Sequence, residues 1–128
     1  MAITNLSNTL KERMLSRLDP TKTTVNVGLV GIILLKRNSA GTDAEEYVAS
    51  GSYGGYKSMD WNSTISNGVL AQTGQLVFEI ESGVFIEGYR IVFDNSVDQV
   101  PGIDVDTDTY VYDADGTFTI NNVEITLN

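Results

Sequence analysis

Five aspartates fall within twelve residues in Asp104-Val-Asp106-Thr-Asp108-Thr-Tyr110-Val-Tyr112-Asp113-Ala-Asp115. Asp104, Asp106 and Asp108 have the one-three-five spacing with which a calcium loop presents oxygen ligands. Counting on, position six is Thr109, where an EF-hand loop needs glycine for its sharp turn, and position twelve is Asp115, shorter than the bidentate glutamate. No helical pattern flanks the segment, so the EF-hand reading fails. A calcium site of another kind, in which these carboxylates meet Asp98 or Asp113, stays open, because a hard cation needs only clustered oxygens. The mechanical reading is favoured. Aspartates at period two share one face of an extended segment, Val105 takes the other, and charge on an edge strand keeps sheets from pairing edge to edge.

Other candidate chemistry is thinner. Glu79 and Glu81 alternate with Phe78 and Ile80 on one strand face, but a glycosidase needs two carboxyls flanking a sugar cleft. Gly51-Ser-Tyr-Gly-Gly55 lacks the Gly-Lys-Ser/Thr ending of a phosphate loop and precedes no helical pattern. Tyr53, Tyr56 and Trp61, set among Gly, Ser and Asn, are candidates for a recognition patch for protein or glycan, since flat rings give contact area at low entropy cost. The competing role is to cover one open end of a β-sandwich. The chain has no histidine and no cysteine. The first absence removes the commonest general base near neutral pH, and the second removes disulfides and thiolate chemistry. The expectation is a protein that is not an enzyme and needs no cofactor, with calcium as the one open exception.

The elements that must position these residues begin with an amphipathic helix. Leu6, Leu10, Met14 and Leu18 recur at four-residue spacing, Leu15 widens the stripe, and Arg13 and Arg17 lie off it. Thr4 or Asn5 can cap its start, and Asp19-Pro20 ends it. At about 13 residues it needs an apolar surface to lie on, either its own sheet or another subunit. After it the chain reads as β. Thr23–Leu35 starts by alternating and then becomes continuously apolar, which predicts a central strand buried on both sides. Lys36–Asp43 reads as a loop and Glu45–Ser50 as a short strand. Leu76–Ile80 and Val84–Phe93 read as strands joined by a Ser82-Gly83 turn, and Asp94–Gly102 as a loop. A final meander is predicted from Thr109–Tyr112, Thr117–Ile120 and Val123–Leu127, with turns at Asp115-Gly116 and Asn121-Asn122. The expected fold is mainly β: one domain over residues 1–128, a small antiparallel β-sandwich or barrel (23–128) with one N-terminal amphipathic helix (1–20).

Charge narrows the partners. The net charge of −9 argues against nucleic acid, whose binding rests on neutralised phosphates. Residues 1–37 carry six basic and two acidic side chains, whereas residues 38–128 carry two basic and fifteen acidic ones. So dipolar a chain can dock copies head to tail, basic front on acidic flank. The most apolar run, Val25–Leu35, is too short for a bilayer that needs about 20 residues. Nor does the N-terminus read as a secretory signal, so a soluble, leaderless protein is expected.

The order of elements resembles the small virion proteins of tailed bacteriophages, of tail-fibre-like or head-decoration type. The resemblance covers roughly residues 6–95 and lies in five segments. They are Leu6-Ser-Asn-Thr-Leu10-Lys-Glu-Arg-Met14-Leu15, Val25-Asn-Val-Gly-Leu29, Glu46-Tyr-Val-Ala-Ser-Gly-Ser-Tyr53-Gly-Gly-Tyr56, Leu76-Val-Phe78 and Gly88-Tyr-Arg-Ile-Val-Phe-Asp94. Where those proteins follow the Gly-rich tyrosine segment with arginine, this chain has Lys57. The resemblance implies a non-enzymatic, oligomeric virion component, made in the host bacterial cytoplasm. Its partners would be itself, a trimer being one form, and a larger capsid or tail protein. Leu6, Leu10, Met14, Leu18, Arg13 and Arg17 would then carry the protein contact. The competing expectation is a glycan-binding module that uses calcium or the aromatic rings.

Overall fold

The computed structural model describes residues 6–16, 18–21, 28–93 and 100–126. They form one short helix and antiparallel sheets, a mainly β architecture with no closed barrel among the described residues. No helix among them is long and apolar enough to cross a membrane.

Helix α1 spans Asn8–Ser16, shorter than the predicted Leu6–Leu18. Its cap is Ser7, whose hydroxyl oxygen accepts from the Leu10 N–H at 3.1 Å and whose carbonyl accepts from the Lys11 N–H at 3.0 Å. The predicted caps Thr4 and Asn5, and Arg17, lie outside the described residues. Ser7 also ties the helix to the sheet: its N–H donates to the Gly102 carbonyl at 2.7 Å and its hydroxyl to the Pro101 carbonyl at 2.6 Å. Leu6 is thereby held in a bridge with Ile103 instead of a helical turn. At the other end the Leu18 N–H reaches the Leu15 carbonyl at 3.0 Å, a tightened last turn. Two hydrogen bonds from Thr21 to the Asp19 carboxylate follow it, and they hold that carboxyl below its usual range.

Strand β1 (Leu29–Arg37) is central, as its apolar run predicts: Ile32, Ile33, Leu34 and Leu35 are all buried. The strand extends two residues into the predicted loop, and its predicted start at Thr23 lies outside the described residues. One edge of β1 is shared by β2 (Ala44–Glu46) and β3 (Tyr56–Ser58), and the other pairs with β6 (Phe85–Phe93). Strand β7 (Val100–Val111) completes this sheet beyond β6. Cross-strand rows Ile32–Ile91–Ile103 and Leu34–Tyr89–Val105 face the core.

The C-terminal strands correct the predicted meander. Strand β8 (Gly116–Asn121) pairs with β5 (Gln75–Ile80), and β9 (Glu124–Thr126) pairs with β4 (Val69–Ala71). Together with β6–β7 these pairings nest one inside the next, so residues 69–93 and 100–126 form one long antiparallel ribbon in near-continuous register. The ribbon bends twice, carrying Phe78, Ile80, Phe118 and Ile120 into the same buried cluster as Ile32 and Leu34 of the first sheet. Turn-prone Asp115-Gly116 and Asn121-Asn122 mark those bends rather than hairpins. Gly116 is already in β8, while Asn122 takes φ 56°.

One polar side chain clasps each bend. At the first, Asp115 accepts from the Ser82 N–H at 2.9 Å and from the Tyr53 hydroxyl at 2.6 Å. At the second, the Gln72 amide donates to the Ile120 carbonyl at 3.1 Å and accepts from the Val123 N–H at 3.2 Å. These side chains give the Ser82 and Val123 N–H groups partners where the strand pairing is interrupted, beside the backbone bonds from Gly83 to Tyr112 and from Gln72 to Val123.

Candidate functional site

The helix stripe does what amphipathicity predicts, but only in part. Leu10 is buried over Gly102, where a Cβ would fall 2.9 Å from the Ile91 carbonyl oxygen and 3.1 Å from the Phe93 ring, so the close packing of β7 on β6 at this point depends on glycine. Leu6 and Met14 are half-buried, and Arg13 lies over the Phe93 ring at 5.0 Å from its centroid. Leu15 and Leu18 instead remain 65% and 80% exposed. Leu18 is therefore not part of the stripe that faces this chain's own sheet.

Beside the helix lies an open apolar groove of about 580 Å³. Leu6, Leu10 and Met14 contribute from the helix side, and Trp61, Ile65 and Leu70 from the segment that enters β4. Leu29, Ile103 and Ile125 complete the lining. Ile65 is 65% exposed within an Asn- and Ser-rich turn, and an apolar residue in so polar a loop is the sequence signal that would have found it.

The three aromatic candidates do not make one platform. Trp61 Nε1 donates to the Leu29 carbonyl at 2.7 Å, and its ring lines the groove. The Tyr56 hydroxyl donates to the adjacent Val30 carbonyl at 2.9 Å, and its ring lies against Gly31. Both rings thus brace β1. Tyr53 belongs to the first bend, where its hydroxyl donates a hydrogen bond to Asp115, which raises the phenol above its ordinary value and lowers the carboxyl below its own. The Gly-rich segment around it packs on β5: the Gly54 N–H donates to the Glu79 carbonyl at 2.9 Å and the Gly55 N–H to the Tyr47 carbonyl at 2.8 Å. Tyr47 is buried, which raises its phenol pKa, and its hydroxyl accepts from the Glu81 N–H at 3.2 Å.

The aspartate run is likewise divided. Asp104 is held by both arms of the Arg90 guanidinium, Nε to Oδ1 at 2.6 Å and NH2 to Oδ2 at 3.0 Å. Arg90 also donates to Glu46 at 3.0 Å, and the Asp104 bonds above all keep it firmly protonated. Asp106 is exposed opposite Gly88, and Asp108 is exposed where β7 bulges between the pairs Gly88–Asp106 and Ile86–Tyr110. Among the described residues no three acidic side chains are close enough together to hold a metal ion. Asp98 lies outside them. The run therefore forms an edge strand with a bulge and alternating charge, features that discourage a second sheet from adding to it. The bulge is fastened by Glu87, which accepts from Thr109 at 3.1 Å and from Arg37 at 2.6 Å.

Sequence reasoning missed Ser7, Arg90, Ile65 and Leu29. Ser7 carried a readable signal, being a cap-type residue just before the stripe; Arg90 and Leu29 acquire their roles only through cross-strand register. Comparison with known protein families, with characterised proteins and with solved structures returned no match.

Proposed function

We propose that the chain is a non-enzymatic virion structural protein of a tailed bacteriophage, acting by docking on other virion proteins. Head decoration is preferred over tail or fibre attachment, since a single small β-module lacks a fibre's repetitive shaft. The observation that carries the docking role is the apolar groove beside α1, with Ile65 exposed in its wall and Leu15 and Leu18 exposed at the end of the helix. An apolar surface left open to water gains free energy when another protein covers it, roughly 25 cal/mol for each Å² removed from water. The assignment to a virion rests on the resemblance in residues 6–95. The glycan-binding alternative draws no support from the aromatic rings, whose polar tips serve internal carbonyls and Asp115.

The test is the protein content of gradient-purified particles of the virus that encodes the chain, with heads separated from tails. Recovery with heads in a fixed multiple of capsid copies is expected. Absence from purified particles sinks the reading, and recovery with tails alone reverses the preferred location.

A further inference from the structure

We propose that Asn67 is a site of spontaneous covalent modification, converting to aspartate and isoaspartate through a cyclic imide closed by the Gly68 nitrogen. The proposal is independent of the docking reading. Asparagine is chemically labile where its carboxamide can meet the next backbone nitrogen, and a following glycine crowds that nitrogen least. Asn-Gly occurs once in the chain.

The fold leaves this pair unprotected. Asn67 and Gly68 are the central residues of a tight turn between Ser66 and Val69, with φ of 53° and 74°. Asparagine and glycine are the residues that tolerate this left-handed backbone, so the turn itself calls for the labile pair. One hydrogen bond closes it, from the Val69 N–H to the Ser66 carbonyl at 3.0 Å. Among the described residues neither the Asn67 carboxamide nor the Gly68 N–H has a hydrogen-bond partner. Both residues are exposed, and a Cβ at Gly68 would meet nothing within 4 Å, so no packed neighbour opposes the rotation that closes the ring.

Other positions are held. Asn38 Oδ1 accepts from the Thr42 N–H at 3.1 Å, and Asn62 Oδ1 from the Thr64 N–H at 3.0 Å. Asn122 precedes the β-branched Val123, whose N–H donates to Gln72 at 3.2 Å. In Asp115-Gly116 the carboxylate accepts from Ser82 and Tyr53.

The step balances without any oxidant or reductant. Hydroxide takes the Gly68 amide proton, the nitrogen bonds to Asn67 Cγ, the Cγ–Nδ2 bond breaks, and ammonia leaves with a proton from water. Water then opens the imide at either carbonyl. Opening at Cγ gives aspartate; opening at the backbone carbonyl carbon gives isoaspartate, with Cβ inserted into the main chain. Either product adds a negative charge to a chain of net charge −9. The second also lengthens a turn flanked by Ile65 and Leu70, which line the groove.

The test is incubation of the folded full chain at neutral and mildly alkaline pH, followed by peptide mass mapping and methyltransferase labelling of isoaspartate. The peptide holding Asn67 should gain about 1 Da before any other, faster at the higher pH, and become labelled. Gly68→Ala and Asn67→Gln, each shown by its melting curve to be folded, should lose both signals. A folded chain that gains no mass at Asn67 overturns the proposal, as does a gain as early at Asn38 or Asn62. A gain seen only in urea, or one undiminished in both variants, overturns it as well.

Discussion

Substituting Gly31 by alanine tests whether Tyr56 is a brace of the central strand. Gly31 is buried in β1, and Tyr56, two strand positions away in register, lays its ring over it and donates to the Val30 carbonyl at 2.9 Å. A Cβ at position 31 would fall 2.5 Å from the Lys57 carbonyl oxygen and closer still to the Tyr56 ring. Both cannot stay. Overpacking of this kind costs about 1–3 kcal/mol. Displacing the ring also gives up the hydroxyl hydrogen bond, about 1 kcal/mol more. Gly31→Ala should therefore destabilise by roughly 2–4 kcal/mol, which lowers the urea midpoint by about 1–2 M with little change in slope. The decisive comparison is a double-mutant cycle. With Tyr56→Ala already in place the ring no longer opposes the new methyl while the Lys57 carbonyl still does, so the double variant should be more stable than additivity by about 1 kcal/mol or more. A neutral Gly31→Ala, or strict additivity, would refute the reasoning and return Tyr56 to the list of exposed recognition residues.

Ser7→Ala removes both the helix cap and the bond to Pro101, and should lower the melting temperature by about 5 °C, with Ser7→Thr recovering part of the loss by calorimetry. Asp115 has its pKa lowered by Tyr53 and by the Ser82 N–H, so its contribution is present above the ordinary carboxylate range and disappears as pH falls through the lowered value. Wild type and Asp115→Asn should thus differ in melting temperature at pH 6, and the gap should close as the pH falls below the ordinary carboxylate range; a gap that persists in strong acid contradicts the assignment. Millimolar calcium or EDTA should leave the wild-type melting temperature within about 1 °C, because Asp104 is already taken by Arg90. A rise of several degrees with calcium would mean that the aspartate run binds metal after all.

Some of this was legible in residue order because it depends on local periodicity. The continuous apolar run Ile32–Leu35 marked a strand buried on both faces, and Leu10 and Met14 marked the helix face that meets its own sheet. The alternation at Asp104–Asp106 marked a charged strand edge. Each follows from a backbone that repeats every two or every 3.6 residues, so side chains sort themselves onto faces before any tertiary contact exists. The mainly β class and the short N-terminal helix follow from the same rule.

Pairing does not follow from periodicity. A strand's pattern states which face is buried but not which neighbour will bury it, and bend residues look the same whether the chain reverses or changes layer. Only the folded chain decided that β8 joins β5 and β9 joins β4. That choice set Asp115 against Tyr53 and Ser82, and Gln72 across the second bend. It also decided that Arg90 reaches Asp104, and that Leu29, Trp61, Ile103 and Ile125, far apart in sequence, line one groove while Leu15 and Leu18 stay outside it. The sequence by itself determined the faces; long-range register, which depends on packing between distant segments, determined the partners.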